Sequence, residues 1–170
     1  MSETTGRDEQ IRKLGELIKD IEFAMLTTVE ADGSLRSRPM ATQRVEFDGD
    51  LWFFTSASEP KVEEVGQNPQ VNVSFARPDK QHYASVSGRA RLVRDRARIE
   101  ELWSPAYRAW FPDGLEDPDL ALLKVTAEKA EYWDGRSSFV AHLAGLVKAA
   151  ATGTAYQPGE NEKVDLKNRG

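Results

Sequence analysis

The chain has 170 residues, of which 30% are charged, a net charge of -5 and no cysteine. That length predicts a single domain with its own core, and the negative charge argues against nucleic acid or an anionic membrane as a partner. The absence of cysteine excludes disulfides and cysteine-ligated metals, and because the start is polar and no apolar run approaches roughly 20 residues, we expect a cytoplasmic protein.

The first half of the chain predicts one helix and then a series of antiparallel strands. Apolar residues at helical spacing indicate the helix, from about Asp8 to Asp20. Turn residues around Gly33 and at Asp48-Gly49-Asp50 separate four β-prone runs, which are Phe23 to Val29, a run from about Leu35, Arg44 to Phe47, and Leu51 to Thr55. Each turn should join the two runs beside it into a hairpin.

The middle of the chain predicts a short helix and two more strands. Ser58 can cap a helix from about Pro60 to Gly66, since proline is tolerated in a first turn. The run from Val71 to Ala76 has the composition of a strand. Strict alternation from Tyr83 to Val93 predicts a long, half-buried strand that bends at Gly88.

The last third predicts two helices on either side of one strand. A helix is expected from Asp95 to about Trp110, then a loop from Phe111 to Pro118 and a strand from Ala121 to Trp133. An amphipathic helix follows, and its apolar face is formed by Phe139, Leu143, Leu146, Val147 and Ala150.

These elements predict a mainly β protein. Six or seven strands at hairpin spacing with a few peripheral helices favour an antiparallel β-barrel over an alternating βαβ sheet. The barrel domain should occupy residues 1–150, and residues 151–170 should form a polar, irregular tail.

The segment from Leu35 to Lys61 predicts a binding site for a phosphate group. Arg38 lies near the start of one predicted strand, Thr55 and Ser56 end another, and Lys61 falls in the first turn of the next helix. A helix N-terminus favours an anion, and arginine and lysine add charge-assisted hydrogen bonds. The acidic residues of this helix, from Glu59 to Glu64, are expected to form a solvated face.

Several segments, in their order and spacing, resemble the pyridoxamine-phosphate-oxidase-like split barrels that bind flavin mononucleotide (FMN). They are RPMATQ at 38–43, LWFFTS at 51–56 with Lys61, NPQVNVSF at 68–75, YASVSGRARLV at 83–93 and AEYWDG at 130–135. The general stress protein branch is the closer match, since WFPDG at 110–114 and NEKVDL at 161–166 resemble its loop and tail. The resemblance implies a split barrel and a homodimer with two FMN sites at the subunit interface.

The resemblance also implies roles for individual residues. Arg38 and Lys61 would contact the FMN phosphate. The backbone of Pro39 and Met40 would lie along the edge of the isoalloxazine ring.

Four further positions would face the ring itself, and the role of a fifth, Trp110, is open. Phe54 and Thr55 match an aromatic–threonine pair that faces the flavin, and Tyr83 stands where the oxidases usually have a flavin-binding glutamine. Trp133 matches a tryptophan that reaches the flavin bound mainly by the other subunit. For Trp110 three roles are open, because an aromatic residue in a Pro/Gly loop can pack the loop down, cover a flavin or fill a dimer contact.

Other positions depart from the oxidases. Pro60 replaces the Arg/Lys beside the phosphate lysine, and Gln43 replaces a lysine that closes the first motif. Gly135-Arg136-Ser137-Ser138 stands where the oxidases have an Arg-His substrate signature. These changes argue against pyridoxine phosphate as the substrate and affect FMN binding less.

Three functions are compatible with this pattern. The leading hypothesis is an FMN-dependent oxidoreductase of the stress-protein type that reduces a quinone-like or aromatic compound with NAD(P)H, the flavin supplying the redox chemistry. The alternatives are a flavin-binding or flavin-sequestering stress protein without turnover, and a reductase that uses a deazaflavin.

Overall fold

The computed structural model describes residues 2–135, 139–153 and 160–167. Within these ranges, the helices and strands in chain order are α1 (Ser2–Ile18), β1 (Phe23–Val29), β2 (Leu35–Ala41), β3 (Asp50–Ser56), α2 (Pro60–Gln67), β4 (Gln70–Arg77), β5 (His82–Val93), α3 (Arg96–Leu102), β6 (Leu120–Asp134), α4 (Phe139–Thr152) and β7 (Glu160–Asp165). Short 3-10 helices lie at Pro78–Lys80, Pro105–Ala109 and Gly114–Glu116. None of the described helices is both long enough and apolar enough to cross a membrane.

The seven described strands form one antiparallel sheet that curls into a half-barrel. Neighbouring strands follow the order β2-β1-β4-β5-β6-β3, and β7 pairs with the second half of β6. The two ends of this order, β2 and β3, approach each other without pairing. The barrel is therefore split between β2 and β3, and the predicted mainly β split-barrel architecture is confirmed.

The core lies on the concave side of the sheet and is closed by α1. Along β1 the burial alternates, so that Ala24, Leu26 and Thr28 face inward while Phe23 and Met25 face outward. This period of two follows from strand geometry. The largest inward-facing side chains of the core come from six elements and include Leu14, Leu26, Phe53, Val73, Val86, Val125 and Tyr132.

The C-terminal tail contributes a strand. β7 pairs with β6 from Lys129 to Asp134, and behind it the side chains of Val164 and Leu166 are buried. The Arg7 guanidinium donates to the Leu166 carbonyl oxygen over 3.1 Å. The prediction of an irregular tail was therefore wrong for residues 160–165, because pairing with the free half of β6 satisfies the backbone of this polar segment; residues 154–159 and 168–170 lie outside the described part.

The predicted second hairpin is wrong. β2 ends at Ala41, and residues 42–49 form a loop in which Phe47 packs against Gly15 of α1 rather than joining the sheet. The turn before β3 does form, since Asp48 accepts a hydrogen bond from the Asp50 amide over 3.0 Å and Gly49 has φ +108°. The strand that follows pairs with β6 instead of with the preceding run.

Two predicted helix features also need correction. Asp95 caps α3 by accepting from the Ala97 amide, but α3 ends at Leu102, because proline at 105 lacks an N–H and restricts the residue before it. Ser58 does not cap α2. Its hydroxyl donates to Asp119 over 2.6 Å, and Glu59 occupies the capping position without a side-chain cap bond.

Two other predicted features are observed. The register of β5 and β6 shifts between Ser87 and Gly88, so the predicted bend is a β-bulge. The predicted C-terminal helix forms as α4. On its expected apolar face Leu146 and Val147 are exposed, and the side chains of Phe139 and Leu143 lie outside the description.

Candidate functional site

The split in the barrel brings Arg38 to the helix that carries Lys61. Arg38 faces inward from β2, where it lies opposite Leu26 of β1. Its guanidinium donates to the Thr28 hydroxyl over 2.6 Å and to the Glu64 carboxylate over 2.9 Å. Glu64 follows Lys61 by three residues, which is about one turn of α2. The edge strand β2 and the helix α2 therefore meet at the place where the sequence predicts a phosphate site.

Each cation of this site is paired with a carboxylate. Arg38 forms its ion pair with Glu64, and Lys61 forms one with Glu59. The Glu64 and Lys61 side chains are only 11% and 10% exposed. The prediction of a solvated acidic face was therefore wrong for Glu64, because this carboxylate turns inward to Arg38. An incoming phosphate would replace carboxylates as the partner of these cations.

The Glu64 carboxylate is held in its charged form. Burial alone would raise the pKa of Glu64, but hydrogen bonds from Thr28 and Arg38 and the positive charges of Arg38 and Arg36 lower this pKa below its ordinary value. The Arg38–Glu64 pair therefore persists at neutral pH.

The end of β3 lies shortly before Lys61 in the sequence. Thr55 is completely buried, and its hydroxyl donates to the Ser56 carbonyl oxygen over 3.3 Å. The Ser56 amide lies 3.5 Å from a Glu59 carboxylate oxygen. Glu59 thus connects the end of β3 to Lys61, and Ser56 is the more accessible of the two hydroxyl residues.

The side chains of the residues predicted to lie along the ring point in different directions. Pro39 is exposed on the convex face of β2, whereas Met40 is buried in the core. Phe54 belongs to a second, aromatic cluster, in which its ring centroid lies 5.1 Å from that of Tyr107 and 5.5 Å from that of Trp103. A flavin contact by these residues would therefore have to come from their backbone.

Tyr83 and Trp133 lie together but apart from Arg38. They are directly opposite each other on β5 and β6, and both are partly exposed on the convex face of the sheet. Arg38 and its partners lie on the concave side. Within one chain the structure thus separates the two aromatic residues from the predicted phosphate site.

Trp110 lies neither with Arg38 and its partners nor with Tyr83 and Trp133. The residue is 55% exposed, and its ring meets that of exposed Phe23 edge-on with the ring centroids 6.1 Å apart. Its neighbour Phe111 packs on Phe54 and anchors the loop. Of the segment that replaces the Arg-His signature of the oxidases, residues 136–138 lie outside the description.

A separate cleft of about 1020 Å³ opens between α1, the loop after β2 and the segment that ends in Trp110. Gln43 and Tyr107 form its walls, and the Tyr107 hydroxyl donates to the Gln43 side-chain oxygen over 3.1 Å. Burial raises the pKa of Tyr107, which keeps this hydroxyl protonated. From the sequence, Gln43 was identified only as a departure from the oxidases, and Tyr107 was not identified at all. The two residues are 64 positions apart, so no local sequence pattern predicts their contact.

Comparison with known proteins agrees with this architecture. The model of the pyridoxamine 5'-phosphate oxidase-like family matches residues 9–157. The protein bli-3 of Neurospora crassa is 31% identical over 156 residues, which cover 86% of this chain and 75% of bli-3. The solved general stress FMN/FAD binding protein of Xanthomonas citri is 33% identical, with a TM-score of 0.67 over 78% of this chain and 93% of its own.

A second solved structure shows the fold alone. A protein from Clostridium acetobutylicum that is related to general stress protein 26 of Bacillus subtilis is 21% identical, with a TM-score of 0.69 over 94% of this chain and 96% of its own.

The fold and these neighbours define the class as split-barrel proteins similar to the general stress proteins. Because its family model covers most of the sequence, the chain belongs to the pyridoxamine 5'-phosphate oxidase-like family. The resemblance stated from the sequence is confirmed.

Proposed function

We propose that the chain binds FMN with its phosphate at Arg38 and Lys61. The observation that carries this proposal is that Arg38 reaches Glu64 of α2, about one helical turn from Lys61, in a split barrel of this family. The Xanthomonas citri relative is itself an FMN/FAD binding protein. Arginine and lysine next to a helix N-terminus suit a terminal phosphate.

The chain's own residues would orient the cofactor. Thr28 and Glu64 hold the Arg38 guanidinium from one side and so fix the direction in which its remaining N–H groups point. The backbone of β2 and β3 at the split would supply donors and acceptors for the ring. Bound FMN would supply redox chemistry, and the protein would position it and tune its electronics.

We propose further that the FMN sites lie at the interface of a homodimer. The convex face of the sheet carries exposed Phe23, Met25, Tyr83 and Trp133. Between them lie small polar residues, among which Asn72 donates to two serine hydroxyls of β5 over 2.8 and 3.1 Å. Exposed apolar residues on one face of a sheet suit the packing of a second sheet. Such packing would bring Trp133 of one subunit toward the flavin of the other.

With FMN bound, the function that we favour is an oxidoreductase that takes electrons from NAD(P)H and reduces a quinone-like or aromatic compound. A flavin-binding or flavin-sequestering protein without turnover is the second candidate. Both would operate in the cytoplasm. A deazaflavin in place of FMN is a third.

The absorbance spectrum of the purified protein identifies the cofactor, because FMN and a deazaflavin absorb at different wavelengths. The FMN-loaded protein is then mixed anaerobically with NADPH or NADH. Loss of the flavin band, followed by turnover on an added quinone, supports the oxidoreductase. A bound flavin that neither nucleotide reduces supports the sequestering protein, and failure to bind any flavin overturns the proposal.

A further inference from the structure

Glu59 holds the Lys61 ammonium group with its carboxylate. One carboxylate oxygen of Glu59 accepts from Lys61, and the other lies 3.5 Å from the Ser56 amide nitrogen. An ammonium group and a backbone N–H next to a helix N-terminus are also the donors that suit a phosphate. The Glu59 carboxylate therefore contacts the donors of Lys61 and Ser56 in the way that a bound phosphate would.

The side chain of Glu59 is not needed to cap α2. Residues at the start of a helix commonly accept a hydrogen bond from its first turn through a side-chain oxygen. Glu59 occupies this position without such a bond, and its backbone carbonyl oxygen accepts from the Val62 amide over 2.9 Å. The backbone of Glu59 thus starts the helix, and its carboxylate can move away without the loss of a cap.

The two carboxylates beside the cations differ in how firmly they are held. The Glu64 side chain is 11% exposed, and one of its oxygens accepts from both Thr28 and Arg38. The Glu59 side chain is 41% exposed, and in the described part of the chain its one ion pair is with Lys61. Ion pairs that reach solvent contribute little free energy. Glu59 is therefore the carboxylate that an incoming phosphate can displace more easily.

The buried position of Lys61 decides which groups can take the place of Glu59. The Lys61 side chain is only 10% exposed, and a buried ammonium group is costly unless an anion lies beside it. A phosphate group brings that negative charge. The terminal hydroxyl of riboflavin, which has the same ring and ribityl chain as FMN but no phosphate, does not. Glu59 is thus expected to oppose the binding of FMN and to have no effect on that of riboflavin.

We propose that Glu59 is an internal competitor of the FMN phosphate. It pairs with Lys61 in the structure and turns toward solvent when the phosphate takes its place. This inference rests on the proposed binding of FMN and concerns the regulation of the same site. Its consequence is that the chain binds FMN more weakly, and releases it more readily, than its two cations alone would allow.

Flavin fluorescence titration of the full chain with FMN and with riboflavin tests the inference. Glu59→Gln removes the charge and keeps the size of the side chain, so it should tighten FMN binding about three- to tenfold and leave riboflavin binding unchanged. Glu63→Gln, the same change at an exposed position in the first turn of α2, is the matched control. It should change either affinity by less than about twofold.

Inorganic phosphate provides a second measurement, because it carries the charge of FMN without the ring. Its inhibition constant against FMN binding should be about three- to tenfold lower for Glu59→Gln than for the wild type. An unchanged inhibition constant would mean that Glu59 does not compete for Lys61, and the inference would be wrong.

Lys61→Ala distinguishes a failure of this inference from a failure of the proposed function. If Lys61→Ala weakens FMN binding but Glu59→Gln does not tighten it, the phosphate site stands and the competitor is disproved. Equal tightening of FMN and riboflavin, or an equal effect of Glu63→Gln, would also overturn the inference. If Lys61→Ala leaves FMN binding unchanged, or if no sample binds FMN, this inference and the proposed phosphate site are both wrong.

Discussion

Arg38 and Lys61 are the residues on which the FMN proposal depends. Each would make a charge-assisted hydrogen bond to the phosphate, worth roughly 1.5–3 kcal/mol. Arg38→Ala and Lys61→Ala should therefore each lower FMN affinity at least tenfold, as measured by titration of flavin fluorescence. Arg91→Ala, which removes an exposed arginine of β5, is the control and should leave the affinity unchanged. Wild-type affinity in both Arg38 and Lys61 variants would contradict the proposed phosphate site.

Glu64 is expected to make the stability of the fold depend on pH. Its pKa is lowered in the folded protein, so its ion pair stabilises the fold above the ordinary pKa of a glutamate, about 4.3, and this contribution is lost as pH falls through the lowered value. We expect Glu64→Gln to reduce the free energy of unfolding at pH 7 by about 1.5–3 kcal/mol.

Urea denaturation of Glu64→Gln and of the wild type at pH 7 and at progressively lower pH checks this expectation. The difference should shrink in acid, because the wild-type side chain then becomes neutral as well. Glu63→Gln, which changes the exposed neighbour of Glu64, should cost little at any pH. A difference for Glu64→Gln that is independent of pH would show that charge is not the cause.

At the scale of the element, Gly88 is required where β5 passes the bulge of β6, since Ser87 pairs with Lys129 and Gly88 with Ala127. A side-chain carbon at this position would lie 2.1 Å from the Thr126 carbonyl oxygen, so the backbone of β6 would have to move. Gly88→Ala should cost at least about 1–3 kcal/mol, which lowers Tm by several degrees in a calorimetric scan. Gly66→Ala places a methyl group in open space within α2 and should be neutral or slightly stabilising. Equal Tm values for the two variants would contradict the close approach.

The strand β7 is expected to contribute measurably to stability. Leu166 is buried directly after it, so Leu166→Ala should lower the free energy of unfolding by about 2–5 kcal/mol in urea. Leu146→Ala, at an exposed position of α4, should change it by less than about 0.5 kcal/mol. If both variants unfold at the same urea concentration, β7 is not docked in solution.

Sequence patterns predicted the elements that have strong local signals. The strand β1, the alternation of β5, the irregularity at Gly88 and the start of α3 at Asp95 all follow from nearby residues, and all are present. The run from Arg44 to Phe47 and the tail at 160–165 were assigned wrongly, because distant packing on α1 and pairing with β6 decide their structure. Local propensity carries no information about such partners.

The same distinction holds for the candidate site. The positions of Arg38 and Lys61 could be predicted as a pair, since both belong to one short stretch of motifs. The inward turn of Glu64 and the contact between Gln43 and Tyr107 could not, because each joins elements that only the curled sheet brings together.

At the scale of the whole molecule, the convex face of the sheet predicts self-association. Met25 is exposed on this face, so a charge introduced there would be buried in the proposed dimer at a large free-energy cost. We expect the wild type to sediment as a dimer and Met25→Arg to raise its dissociation constant by at least tenfold. Val45→Arg, in the loop after β2, should remain dimeric. A wild-type chain that sediments as a monomer at micromolar concentration would contradict the interface.

The two carboxylates at the split have a consequence for the proposed binding of FMN. Since Glu64 and Glu59 pair with Arg38 and Lys61, neither cation depends on a ligand for its counter-charge in the folded chain. Binding of the proposed phosphate would then exchange one anion for another, and its release would leave both ion pairs to form again.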